Sequence, residues 1–260
     1  MRLEQISVNL YSLRDFLTTR EDFIASIKRL SAIGFQSVQL SGVAPGLIPD
    51  ADFVSICADS GIKITATHEP AVQLLAEPQR SVERLARLGV SFTAYPSPAG
   101  AVDLGDEAGV SRWLRQLDQA AVVLRAAGIT LCYHNHNQEF TKLGGRLLLD
   151  RIFAETSLAG EPDTYWIQAG GGSPLQWTEK LAAQKRLPLI HLKDFRVTAG
   201  GEVQFAELGA GNLDFDPILA AATAGGCQSF IIEQDMTYGR DPFESVAESF
   251  RFLQARVARG

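Results

Sequence analysis

The chain has 260 residues, 46% of them hydrophobic, and 24 Lys+Arg against 30 Asp+Glu give a net charge of −6. That balance excludes a disordered chain, a collagen-like repeat and a coiled coil, and it argues against a dedicated nucleic-acid binder, which would show a basic face. MRLEQISVNL is not a secretory signal, no apolar run approaches the ~20 residues of a membrane span, and Cys57, Cys132 and Cys227 have neither disulfide nor zinc spacing, so a reduced, cytoplasmic protein with no membrane partner is expected.

The first strand is expected at 5–11, followed by a helix with Phe23, Ile27 and Leu30 at helical spacing. That helix stops at Gly34, and FQSVQL follows as strand two, 35–41. The same punctuation recurs at Gly61 before strand three (62–67), Gly89 before strand four (90–95) and Gly128 before strand five (129–134). Strands six (162–167) and seven (187–193) lack it, Gly226 precedes strand eight (228–233), and a last helix carries Phe243, Val246, Phe250 and Leu253. Glycine just past a helix end, with a β-branched or aromatic run behind it, is the αβ half of a βαβ unit. Eight strands alternating with helices predict an α/β protein, a single-domain (β/α)8 TIM barrel over 1–260. An open doubly wound sheet would want a GxGxxG turn after the first strand, where this chain has SLRDFLTT.

In such a barrel the chemistry lies at the C-terminal strand ends. All four histidines fall there: His68 after strand three, His134 and His136 after strand five, His191 near the end of strand seven. Carboxylates gather on the same rim, with Glu139, Asp163, Asp194, Glu233 and Asp235. Glu233, embedded in an apolar run, needs a cationic partner, either a lysine or arginine or a bound metal. Oxygen-rich ligation with an imidazole suits Mn2+, Mg2+ or Co2+, with Zn2+ also admitted. Trp113 and Trp177 read as packing residues, RSVERLAR (80–87) as a solvated helix face, and GGG (170–172) as a mobile loop.

YSLRD, FQSVQLSG, ATHEP, YHNHNQEF, DTYWIQAGGGSP, IHLKDF, ELGAGNLDF and IIEQD stand in register along nearly the whole chain. Together they resemble the xylose isomerase-like barrel superfamily, which includes sugar-phosphate isomerases and epimerases, inosose dehydratase-type proteins and endonuclease-IV-type barrels. The resemblance implies one divalent metal on Glu139, Asp163, His191 and Glu233. Relatives carry the first glutamate on strand five itself, where this chain has His134, so Glu139 has to fold back from the following loop.

It further implies an isomerase or epimerase acting on a sugar, sugar phosphate or keto-inositol through a metal-stabilised enediolate, with Glu139 and Glu233 as acid–base pair. His68, His134, His136, Trp166 and Lys193 are the expected substrate-facing residues. Loss of a β-hydroxyl from the same intermediate would make the enzyme a dehydratase or lyase of an inosose or 3-keto-sugar, and a non-catalytic sugar-binding barrel is a further alternative. An endonuclease would need more histidines and a basic surface. The expected partner is therefore a small carbohydrate and no nucleic acid; homo-oligomerisation stays open.

Overall fold

Helix Arg20–Ile33 shows how local sequence builds the repeat. The Thr19 side chain caps it, accepting from the Asp22 N–H at 3.0 Å, and Phe23, Ile27 and Leu30 form its buried stripe. Gly34 ends it at φ +115°, its N–H donating to Leu30 O and Ser31 O, and a Cβ there would lie 3.1 Å from Phe250 Cε1. Gly61, Gly89, Gly128 and Gly226 likewise have positive φ.

The computed structural model describes residues 1–98 and 100–257. Its parallel strands are β1 (Ile6–Asn9), β2 (Ser37–Leu40), β3 (Lys63–His68), β4 (Phe92–Tyr95), β5 (Thr130–His134), β6 (Ala159–Glu161), β7 (Leu189–Leu192) and β8 (Ser229–Ile232). They pair in the order β6-β5-β4-β3-β2-β1-β8-β7 with helices between, a nearly closed TIM barrel. The seam between β6 and β7 carries the bridge Asp163 to His191, where the His191 N–H donates to Pro162 O at 3.0 Å, and below it the Gly160 N–H donates to Arg186 O at 2.7 Å. Short antiparallel hairpins, 142–147 and 194–206, extend from the rim.

The sixth strand departs from the sequence expectation of 162–167. It lies at Ala159–Glu161, and Thr164–Ala169 is a helix. Thr, Tyr and Trp favour strands, but Asp163 Oδ1 accepts the Trp166 N–H at 2.9 Å and starts a helix that buries Ile167. GGG is also a packed turn, since a Cβ at Gly170 or Gly172 would meet the Phe140 ring at 2.3 or 2.5 Å.

Side chains alternate across each strand. Facing inward at the base, Ala66, Cys132, Ala159, Leu189 and Ile231 belong to a small core of their own, separate from the large core between sheet and helices. Two residues further along the same faces come His68, His134, Glu161, His191 and Glu233. The barrel is thus apolar at its base and ionisable at its mouth. The cysteines are buried; burial pushes the Cys57 and Cys227 thiols up to about 12, so both stay protonated and inert.

Candidate metal centre and active site

The lower layer of the mouth is organised by Glu161. Its Oε2 lies 2.6 Å from His68 Nε2, 3.4 Å from His191 Nε2 and 3.5 Å from His134 Nδ1, while Oε1 accepts from Gln39 Nε2 at 2.7 Å. Burial works against the Glu161 charge, but the His191 and His68 imidazoles outweigh it and bring the carboxyl down to about 2. His191 Nε2 also donates to Gln39 Oε1 at 2.7 Å. With Nε2 turned downward, His191 keeps its other nitrogen for the layer above. His191 Nδ1 accordingly lies 2.9 Å from Glu233 Oε2 and 4.0 Å from Asp163 Oδ2.

The upper layer holds Asp163, Glu233, Asp235 and Lys193. Lys193 Nζ lies 2.8 Å from Glu233 Oε2, 2.9 Å from Asp235 Oδ2 and 3.2 Å from Asp163 Oδ2. Asn9 Nδ2 donates to Glu233 Oε1 at 2.7 Å, and Asn135 Oδ1 accepts the Asp163 N–H at 3.0 Å. Against the effect of burial, Lys193 and His191 hold Glu233 well below the carboxylate range. Burial raises Asp163 to about 6 against the pull of Lys193.

Donor atoms of His134, Asp163, His191 and Glu233 all lie within 4.8 Å of one another. An overlapping set, His68, His134, Glu161 and His191, meets the same criterion. The upper set fits a divalent metal on two grounds. Asp163 Oδ2 is buried without a hydrogen bond, having only ion-pair contacts to Lys193 at 3.2 Å and His191 at 4.0 Å. Moreover, the carboxylates of Glu161, Asp163, Glu233 and Asp235 outnumber the two cations at the site, Lys193 and His191 (raised to about 10, against burial, by Glu161 and Glu233). Two imidazoles and two carboxylates are a mixed N/O donor set that Mn2+, Co2+ or Zn2+ accepts.

Glu139 is not brought into this group. It is fully buried in the turn after β5, where Tyr133 Oη donates to Oε1 and the His136 N–H to Oε2, both at 2.8 Å. Both oxygens are committed to holding the HNH segment, so Glu139 lies outside this set, and the residue of β5 within it is His134. Burial raises the Glu139 carboxyl to about 7.

Above the metal set a cavity of about 490 Å³ opens to solvent, lined by His68, His134, His136, Trp166, Lys193 and Glu233 among others. His136 stacks obliquely on Trp166, ring centroids 5.2 Å apart, and burial, with Lys193 nearby, lowers it to about 4, so it is neutral at pH 7. His136 Nδ1 and Trp166 Nε1 are buried without hydrogen-bond partners.

Sequence reasoning missed Glu161, Gln39 and Asn9. Glu161 was legible in principle: it stands two residues before Asp163, hence on the same face of one strand, but a strand started at 162 leaves it out. Gln39 and Asn9 are polar residues inside otherwise apolar strands, the kind of buried polar group that needs a partner.

Residues 27–256 match the family model described as xylose isomerase-like TIM barrel. No curated protein matches the sequence. Among solved structures, a sugar phosphate isomerase/epimerase from Parabacteroides distasonis superposes with a TM-score of 0.82 at 22% identity, covering 98% of this chain and 95% of that one. An L-ribulose 3-epimerase gives 0.76 at 14% identity, covering 100% and 95%. A xylose isomerase-like TIM barrel protein from Mycobacterium smegmatis, in complex with magnesium, gives 0.70 at 15% identity, covering 98% and 97%. At these identities the likeness speaks to the fold.

Proposed function

The chain belongs to the xylose isomerase-like TIM barrel family, and on that premise we propose that it is a metal-dependent isomerase or epimerase of a sugar or sugar derivative. The observation that carries this reading is the convergence of His134, Asp163, His191 and Glu233 at the floor of an open polar cavity. When bound there, a divalent ion supplies Lewis-acid polarisation of a substrate carbonyl and its neighbouring hydroxyl.

The remaining work falls to the chain's own groups. Glu233 lines the cavity and is kept ionised by Lys193 and His191, so it is poised to take the proton from the carbon next to the carbonyl. Asn9 donates to its Oε1, and Lys193 Nζ and His191 Nδ1 lie 2.8 and 2.9 Å from its Oε2, so the carboxylate is held in a fixed orientation at the cavity floor. Neutral His136, lining the same cavity, is the group placed to exchange a proton elsewhere on the sugar. The Trp166 indole N–H, which has no protein partner, is the donor placed to orient a hydroxyl, and a carboxylate-rich mouth suits an uncharged sugar better than a nucleic-acid phosphate.

The test is deuterium incorporation from D2O next to the carbonyl, with Mn2+-loaded protein and a panel of ketoses and keto-sugars. Glu233→Gln should slow exchange by ~10²–10⁴-fold, because the amide cannot carry the proton. Exchange at the wild-type rate in that variant would leave Glu233 a ligand only, and no exchange on any ketose would remove the isomerase reading.

A further inference from the structure

A second cavity adjoins the mouth. After β2 the chain runs through the loop 41–49 to helix Asp50–Asp59, and Gly42, at φ +72°, brings that loop so close to Tyr11 that a Cβ would lie 2.7 Å from its Cα. Between this loop, the segment after β3 and helix Pro78–Leu88 lies a space of about 370 Å³, within the ~300–1,000 Å³ typical of small-molecule sites. Ser41 and His68 line both this space and the mouth, so the two share a wall.

Its chemistry differs from that of the mouth. Leu40, Val43, Ile48, Phe53 and Pro70 supply apolar walls. Arg84, which the sequence places on a solvated face, is committed: it donates to Glu69 Oε1 and, at 3.1 Å, to Asp50 Oδ1. No other lysine or arginine lines the space among the described residues, so an anion finds no unpaired cation there. Acceptors, by contrast, are open. Glu69 is fully buried and its Oε2 has no hydrogen-bond partner; the nearby Thr67 hydroxyl is given to Thr93 Oγ1 at 2.9 Å. Gln73 Nε2 donates to Ser81 Oγ at 3.1 Å, which leaves the Gln73 carbonyl oxygen to accept.

Apolar walls, open acceptors and no free cation select a neutral ligand rich in hydroxyl donors and C–H faces. We propose that this cavity is a second subsite, which binds a neutral sugar ring glycosidically joined to the sugar that reacts at the metal centre. The substrate is then a glycoside rather than a phosphorylated monosaccharide. This rests on the isomerase or epimerase reading above and specifies its substrate class.

The experiment is calorimetric titration of the Mn2+-loaded protein with glucose, maltose, cellobiose and glucose 6-phosphate, and with fructose, turanose and fructose 6-phosphate, followed by deuterium exchange with the ketoses. At least one disaccharide should bind tenfold or more tightly than its monosaccharide, and the phosphates should show no such gain. Val43→Trp, which fills the second cavity, should erase the preference while leaving monosaccharide and Mn2+ affinities within about twofold. Gln73→Leu, a milder change on the same wall, should weaken it severalfold. Tighter binding of the phosphates, or a disaccharide preference that survives Val43→Trp in folded protein, overturns the subsite. Monosaccharide exchange with no disaccharide preference overturns the subsite alone, whereas absence of binding and exchange for every sugar removes the enzymatic reading with it.

Discussion

Glu161 touches three imidazoles and lies beneath the predicted ligand set. It lies 3.4 Å from His191 Nε2, while His191 Nδ1 faces Glu233 and Asp163, the arrangement in which an outer carboxylate orients a metal-binding histidine. Glu161→Gln should therefore lower Mn2+ affinity ~10–100-fold while the fold is retained. Calorimetric titration checks this, and unchanged affinity in the variant would show that the imidazoles are oriented by packing alone. Glu139 makes a different prediction. Its carboxyl is raised from 4.5 to about 7 by burial. The folded state therefore holds an extra proton between those values, and the stability this contributes is full below about pH 4.5 and lost as pH rises through 7. Glu139→Gln removes that slope, so from pH 5 to pH 8 the variant should gain about 2–3 kcal/mol relative to wild type. Urea unfolding at both pH values measures it; parallel pH dependences would assign the slope to another group.

Strand β6 is the element on which the site depends most and for which the amino-acid pattern is weakest. It has three residues, Ala-Gly-Glu, of low strand preference, and it is held from outside. The Gly160 N–H donates to Arg186 O at 2.7 Å, and the Arg186 guanidinium donates to the carbonyls of Phe153 and Leu158 at 2.6 Å. A Cβ on Gly160 would meet Leu181 Cδ1 at 2.6 Å and Arg186 O at 3.3 Å. Gly160→Ala should consequently cost about 1–3 kcal/mol and weaken metal binding, because Glu161 and Asp163 follow on the displaced strand. Denaturant unfolding and Mn2+ titration read the two effects; a stable variant with normal affinity would mean that helix Pro174–Ala183 yields to the added methyl. Tertiary packing defines this strand, whereas those after Gly34, Gly61, Gly89 and Gly128 are marked locally by a helix stop followed by a strand-forming run.

Across the whole molecule, the barrel gathers carboxylates from β6, β8 and the loops beyond them around one axis, and the last seam of the barrel is itself the Asp163–His191 bridge. Metal binding and barrel closure should be coupled for that reason. At about 100 times its dissociation constant a divalent ion adds ~2.7 kcal/mol to stability, which at ~2–4 °C per kcal/mol corresponds to a rise in Tm of roughly 5–10 °C. EDTA should reverse the rise, and His134→Ala or Asp163→Asn should abolish most of it. A Tm indifferent to saturating Mn2+, Mg2+, Co2+ and Zn2+ would count against the metal centre.

Alternation of helix, glycine and strand determined the barrel from the sequence alone, because both signals are local: glycine adopts the left-handed turn, and β-branched runs extend. The rim positions of His68, His134, His136, His191 and Glu233 follow from the same pattern, since each stands where an apolar strand ends. Which of those groups share a space was decided by tertiary structure. Glu139 and Glu161 are both glutamates next to strands, yet one is consumed by Tyr133 and the His136 backbone and the other lies under the metal set. The position of strand six, which puts Glu161 at the mouth, depends on the local Asp163 cap together with Arg186 and Leu181, whose separation from it along the chain carries no local signal.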